Sequence, residues 1–379
     1  MPAETDSGRG PGPATRDEKL GTVGPNWFAS VMGTGIVANA GATLPVQVPG
    51  LTLFTRVVWV IAALLLVALV VIVGGHWIRH PTIARSHAGN PQMAHFYGAA
   101  PMALLTVGTG ALLVGGALIG ERAAVGLGWA LWAAGTVGGL FTAVTIPLLM
   151  FTRHDVEPDA AFGGWLMPVV PPMVSAAGGA LLIAHTPAGS ARQTLLYGCW
   201  AMFGMSLLAA FIIIVMIWSR LALYGTSGTA RVPTLWIVLG PLGQSITAAG
   251  LLGLNAESAV DPLTAQTMNT VAVLYGVPVW GFALLWIALA TGLTVRTMRR
   301  GMPFALTWWS LTFPVGTFVT GTTQLAVHTG LPVFRVVAVI AYCCLIGTWL
   351  LVAVRTTKGG LRGQLFTPPP AGPVRARKG

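Results

Sequence analysis

FASVMG (Phe28–Gly33), FYGAAP (Phe96–Pro101), LMPVVP (Leu166–Pro171), WIVLGP (Trp236–Pro241) and WSLTFP (Trp309–Pro314) follow one plan. Each runs from a bulky residue to a helix breaker five positions on, and each leads into a run of small residues: Thr34–Gly41, Thr106–Gly110, Ser175–Ala180, Ser245–Gly250 and Thr317–Thr323. The breakers Gly33, Pro101, Pro171, Pro241 and Pro314 stand 68, 70, 70 and 73 positions apart. A fixed period of this length marks a repeated supersecondary unit.

The surroundings of these stretches set the solvent. Only 8% of the 379 residues are charged and 54% are hydrophobic, against about 25% charged in soluble domains. So little charge cannot cover the surface of a soluble domain, and the chain reads as an integral membrane protein. About 20 apolar residues span a bilayer as a helix. Ten such spans can be marked, at roughly 25–44, 56–77, 94–119, 125–150, 162–184, 195–219, 233–254, 269–295, 304–328 and 333–354. Transmembrane barrels need alternating strands of about ten residues, and none is visible, so the expected fold is all-α. Residues 1–24 and 355–379 read as disordered polar tails flanking a membrane domain at 25–354.

The net charge of +11 resides in loops and tails. It implies topology and contact with lipid headgroups, and no nucleic-acid partner. The two tails and the loops after even-numbered spans hold 17 of the 21 Lys and Arg; the other loops hold Arg56, Arg122, Arg192 and Arg335. Both termini are therefore expected in the cytoplasm. Ten spans and five repeats make each repeat a pair of helices, all five pairs running the same way, related by rotation about an axis along the membrane normal. Even-numbered spans are bulky and aliphatic, as in VWVIAALLLVALVVIV (58–73) and AAFIIIVMIW (209–218). Odd-numbered spans carry Thr, Ser, Gln and Gly, and polar groups at membrane depth face the bundle interior or a wet cavity. The odd spans are expected to line an axial conduit, with Thr106, Ser175, Thr247 and Thr317 on its wall. Breakers at matching depth would kink the lining helices. The competing account is close helix packing through small residues.

NWFASVMGTGIVANA (26–40) and MPFALTWWSLTFPVGTFVTG (302–321) resemble the first and ninth helices of the tellurite-resistance/dicarboxylate transporter family. That family includes tellurite-resistance protein A, the slow anion channel of guard cells, the malate permease and the sulfite efflux pump. The resemblance extends over about residues 25–354. It implies a homotrimer in the plasma membrane, each subunit having its own pore of five kinked inner helices. It also implies small anions as substrates: chloride, nitrate, sulfite, or a C4-dicarboxylate such as malate. In the family an aromatic ring on the ninth helix plugs the pore, and the matching position is Phe313. Its slot before the breaker holds Met32, Ala100, Val170 and Gly240 in the other repeats. A large ring among smaller or more flexible residues can close a narrow lumen by dewetting; a packed aromatic is the plain alternative.

Other features point nowhere specific. Gly33-Thr34-Gly35 lacks the strand and Lys of a phosphate loop. His76 and His80 lie one turn apart without a third ligand, so no metal is expected. Cys199, Cys343 and Cys344 form no site. Asp155, Glu157 and Asp159 read as a solvated loop. No Asp, Glu or Lys lies in the middle of a span, where coupled carriers usually hold one. No nucleophile and base meet at depth, so an enzyme is not expected, and nothing calls for a cofactor. A channel or transporter leads, a proton-coupled dicarboxylate or sulfite exporter is the alternative, and a membrane enzyme or sensor is more distant.

Overall fold

The computed structural model describes residues 23–226, 228–363 and 365. The tails expected at 1–24 and 355–379 fall largely outside the described residues. Within them, the last helix runs on to Leu361, so the first residues of the expected C-terminal tail are helical.

The fold is all-α; among the described residues there is no strand. The principal helices are α1 (Phe28–Thr43), α2 (Leu51–Arg79), α3 (Ala99–Gly110), α4 (Glu121–Thr152), α5 (Pro171–Leu182), α6 (Ser190–Tyr224), α7 (Leu239–Ala256), α8 (Pro262–Met298), α9 (Phe313–Thr329) and α10 (Pro332–Leu361). A short helix, Pro81–Gly89, follows α2; its polar sequence gave no span signal. Seven helical stretches are long and apolar enough to cross a membrane: Leu51–Arg79, Ala94–Ile119, Glu121–Thr152, Ser190–Tyr224, Val232–Ala256, Pro262–Met298 and Pro332–Leu361. The chain is a multi-pass membrane protein. Helices α1, α5 and α9 are too short by themselves, for a local reason. Each is preceded by a 3₁₀ turn: Pro25–Trp27, Gly163–Leu166 and Leu306–Leu311 respectively.

The breakers act differently from the expected mid-helix kinks. Pro171 and Pro314 occupy the first turn of their α-helices, where the missing N–H is unneeded and the fixed φ is already helical. Pro101 and Pro241 are the third residues of α3 and α7, just after the 3₁₀ segments Ala94–Gly98 and Val232–Val238. Gly33 lies inside an unbroken α1. Pro101, Pro241 and Pro314 thus mark where 3₁₀ gives way to α, Pro171 opens its helix after a turn at 167–170, and the glycine does not interrupt its helix at all.

Packing separates the helices into two sets. α1 packs on α3, α3 on α5, α5 on α7, α7 on α9 and α9 on α1, so the succession closes on itself. Register shows α7 and α9 running the same way. Thr317 Oγ1 donates to the Leu239 carbonyl (3.1 Å), and Thr247 meets Thr320 at 2.7 Å. The α1–α9 contact is as close as backbone allows: a Cβ on Gly33 would clash with Thr312 Oγ1 and the Trp309 ring. That is the close packing small residues permit in membranes.

The even-numbered helices lie outside this set. Only 22–28% of the most apolar window in α2, α4, α6, α8 and α10 is buried, against 89% in Val232–Ala256. Their polar side chains turn inward to inner-helix backbone. Trp59 Nε1 donates to the Val107 carbonyl (3.0 Å), Trp132 Nε1 to Ser175 (2.8 Å), Trp286 Nε1 to Leu235 (2.8 Å), Ser206 Oγ to Val169 (2.7 Å) and the Tyr342 hydroxyl to Val37 (3.1 Å). A π turn at Ala111–Gly115 follows α3, and the Val107 carbonyl that Trp59 bonds also accepts from the Ala111 N–H. Backbone groups at membrane depth have no water to turn to. Such interhelical bonds contribute about 0.6–2 kcal/mol each in lipid.

Candidate functional site: two cavities meeting at Phe313

Two cavities lie inside the closed set of odd-numbered helices. The first is apolar, lined by Met32 of α1, Phe96 and Met102 around the start of α3, Val170 before α5, Gly240 and Pro241 of α7, and Trp309, Phe313 and Pro314 at the start of α9. The second is more polar. It is lined by Asn39 of α1, Thr106 and Thr109 of α3, Val174 and Ala177 of α5, Gln244 and Thr247 of α7, and Phe313, Thr320 and Gln324 of α9. Each draws on all five odd-numbered segments and neither on an even-numbered helix. Phe313 borders both, and its side chain is 3% exposed. Among the described residues, no aspartate, glutamate, histidine, lysine or arginine lines either cavity.

The local chain explains why Phe313 stands there. Thr312 closes the 3₁₀ segment with its hydroxyl on the Trp309 carbonyl (2.7 Å), and Pro314 opens the following α-helix. Trp309 is itself anchored by Nε1 to Thr356 Oγ1 (3.1 Å). Phe313 is therefore the first residue of a helix whose start is held by a proline and a tethered tryptophan. The other aromatic rings on this stretch have partners elsewhere. Phe318 stacks on Trp280 of α8, centroids 6.4 Å apart, and Phe304 meets Trp308 edge-on at 5.6 Å.

The residues expected on the wall divide. Thr106 and Thr247 line the second cavity, and Pro241 and Pro314 line the first. Ser175 and Thr317 are fully buried between helices instead; Thr317 bonds the Leu239 and Pro314 carbonyls. Pro171 faces outward onto α4, where a Cβ on Gly139 would lie 2.7 Å from it, and Pro101 likewise meets α4 at Gly138 and Gly135. Gly33 packs on Trp309 rather than on the lumen. Within each inner helix, period alone did not separate the luminal face from the faces packed on neighbours. The carboxamides Asn39, Gln244 and Gln324 escaped notice as individual residues. Their signal was available: amides inside apolar spans are rare, and at depth they face cavities.

Hydrogen bonding fixes what the second cavity offers. Thr106 donates to the Met102 carbonyl (2.7 Å), Thr320 to Thr317 (3.1 Å), and Thr247 contacts the Gly243 carbonyl (3.0 Å) and Thr320. Asn39 Nδ2 donates to the Thr106 carbonyl (3.0 Å). The carboxamide oxygens of Asn39 and Gln324 are buried and unbonded. His95 and His328 sit apart. His95 is wedged against Phe162 and Trp165, and His328 Nε2 is 3.2 Å from Asn269 Oδ1. His76 stacks on His87, centroids 5.7 Å apart, and lies 5.8 Å from His80.

The chain is 26% identical to a sulfite efflux pump of Trichophyton rubrum over 349 residues, covering 90% of this chain and 92% of the relative. It is 25% identical to a transporter of Methanocaldococcus jannaschii over 344 residues, covering 90% and 96%. It is 19% identical to a malic acid transport protein of Schizosaccharomyces pombe over 357 residues, covering 90% and 80%. These relatives are transporters. A family profile described as voltage-dependent anion channel matches residues 22–357, nearly everything between the two tails, and the chain belongs to that family, the tellurite-resistance/dicarboxylate transporter group.

Proposed function

We propose that this protein conducts small anions across the plasma membrane through a conduit within each subunit, and that Phe313 closes it. In this reading ten helices cross the bilayer as five parallel hairpins, with the odd-numbered helices around the conduit and both termini in the cytoplasm. The observation that carries it is the pair of cavities lined by all five inner segments and meeting at one buried ring. A ring at a narrow apolar point excludes water and so blocks ions. The named relatives make sulfite and C4-dicarboxylates such as malate the first substrates to test, with chloride and nitrate beside them. The homotrimer follows from the family resemblance.

A proton-coupled exporter is the second reading. The absence of titratable side chains from both cavity walls favours uncoupled conduction over it, because a coupled carrier needs a group that takes up the proton near the substrate. Purified protein in liposomes, with chloride, nitrate, sulfite and malate flux measured at two pH values, tests both. Flux of at least one anion is expected, following its own gradient. No flux of any of the four, from folded protein, would sink the proposal; flux driven uphill by a pH gradient would move it to the exporter.

A further inference from the structure

The second cavity has a donor and acceptor pattern that selects among anions. A threonine hydroxyl has one hydrogen to give. Thr106 spends its hydrogen on the Met102 carbonyl and Thr320 on Thr317. Thr247, between the Gly243 carbonyl and Thr320, has none left over. These hydroxyls therefore turn lone pairs toward the cavity. Among the described residues no cationic side chain lines it. Beside the single hydroxyl of Thr109, donors for an anion's bare oxygens come from carboxamides.

Two carboxamides are placed to supply them. Gln244 of α7 and Gln324 of α9 line the cavity, are 5% and 6% exposed, and make no side-chain hydrogen bond among the described residues. Gln324 Oε1 is fully buried without a partner, a state that costs free energy unless a ligand or water completes it. Gly250 keeps the space: a Cβ there would lie 2.7 Å from Gln324 Cβ and 2.9 Å from Oε1. The Thr247–Thr320 contact at 2.7 Å fixes the level of α7 against α9. Gln244 lies one turn before it, on the Phe313 side, and Gln324 one turn after. At 1.5 Å per residue they stand roughly 10 Å apart along the conduit, as successive stations.

We propose that Gln244 and Gln324 are specificity-determining residues that favour monoprotonated oxyanions over halides and over fully deprotonated dianions. The proposal rests on the anion-conducting reading above. A monoprotonated oxyanion, such as hydrogensulfite or a hydrogen dicarboxylate, presents bare oxygens to the carboxamide NH₂ groups and one O–H to the lone pairs of the carboxamide oxygens and Thr hydroxyls. A halide can accept but cannot donate, leaving the acceptors of the wall unmet. A dianion brings more charge to a wall rich in lone pairs. Neutral donors also hold the ion weakly enough to release it, as conduction requires.

The test uses the full-length protein in liposomes, with sulfite and chloride flux measured at mildly acidic pH, where sulfite carries a proton, and at alkaline pH, where it does not. Wild type should prefer sulfite to chloride at acidic pH and lose that preference at alkaline pH. Gln324→Leu and Gln244→Leu should each lower the sulfite-to-chloride ratio about tenfold, the weight of one good hydrogen bond. Gln324→Asn should recover part of the ratio. A thermal-shift readout in detergent covers variants that do not reconstitute: sulfite at acidic pH should stabilise wild type more than chloride does, and should lose that advantage in the Leu variants. An unchanged ratio in folded Leu variants, or a wild type indifferent to the protonation of sulfite, overturns the filter while leaving anion conduction standing. A wild type that moves neither anion overturns the filter, and overturns anion conduction as well if nitrate and malate do not move either.

Discussion

Phe313 can be tested as a single side chain because its neighbours make the alternatives distinct. It opens α9, lines both cavities and pairs with no other ring, whereas Phe318 and Phe304 each contact a tryptophan away from the lumen. Phe313→Ala should remove a plug without moving the backbone, since Pro314 and the Thr312–Trp309 bond set the helix start. Anion flux in liposomes should rise at least tenfold, with little change in the yield of folded protein. Phe318→Ala and Phe304→Ala should cost about 3–5 kcal/mol where buried and raise no flux. Unchanged flux together with reduced folded yield in Phe313→Ala would mean that the ring is packing and nothing more. Gly33 makes the contrary case at the same scale. It was read as a kink on the lumen, but it serves the α1–α9 contact, so Gly33→Val should lower the melting temperature by forcing Trp309 and Thr312 away. Thermal unfolding in detergent, with Gly74→Val as an open-space control on α2, distinguishes the two.

At the scale of elements, the period of about 70 residues located the inner segments and separated them from the bulky outer helices. It could not assign the rotation of each inner helix. Both the luminal face and the two packed faces of such a helix are built from small and hydroxyl residues, so composition looks alike all round. Thr106 and Thr247 reach the cavity while Ser175 and Thr317 are buried against neighbours. The 3₁₀ turns were also hidden: a proline signals that something ends, and only packing decides whether it kinks a helix or starts one. Single cysteines in a background lacking Cys199, Cys343 and Cys344 check the assignment. Thr106, Thr247 and Gln324 should react with a small water-soluble thiol reagent once Phe313 is Ala. Ser175 and Thr317 should stay silent, as should Leu65, Ile213 and Leu285 on the outer helices. Equal labelling of luminal and packed positions would refute the assigned faces. A second element-level expectation concerns the start of α8. Asp261 Oδ1 accepts from the Thr264 backbone N–H at 3.0 Å, and hydrogen bonds from Thr264 hold its carboxyl below the usual range. A lowered pKa in the fold means the charged form is the stabilising one. Its contribution is fully present above the ordinary carboxylate range and is lost as pH falls from there through the lowered value in the fold. Asp261→Ala should therefore lower the melting temperature at neutral pH, and the gap from wild type should close on acidification. A gap that persisted at acidic pH would assign the effect to something other than the ionised cap.

The whole molecule is organised by charge as much as by hydrophobicity. The outer helices present large apolar side chains, such as Leu64, Val71, Phe141, Leu208, Val215 and Leu274, each 65–70% exposed in the isolated subunit. A belt of this kind belongs in lipid or against other subunits, and it fixes the plane of the membrane without saying which side is which. Sidedness comes from the Lys and Arg distribution. The N-terminal tail, the C-terminal ends of the even-numbered helices and the chain that follows α2, α4, α6, α8 and α10 carry 17 of the 21 basic residues. In the proposed topology, retention of positive charge on the cytoplasmic side puts both termini there. In the proposed reading this is a strict alternation: α1, α3, α5, α7 and α9 follow one another around a closed set, and with all five parallel each connection from an inner to an outer helix would emerge on one face. Reporter fusions after residues 120, 190, 257 and 330 should consequently all report the outer side, and fusions after residues 89, 155, 228 and 301 the cytoplasmic side. Arg192 supplies an internal check: its guanidinium bonds the Thr186 and Ser258 carbonyls, so this basic residue outside the cytoplasmic set is tied to protein, and Arg192→Ala should leave the topology unchanged. A single reversed reporter in the middle of the series would break the alternation. It would remove the parallel order on which a common conduit through all five inner helices depends.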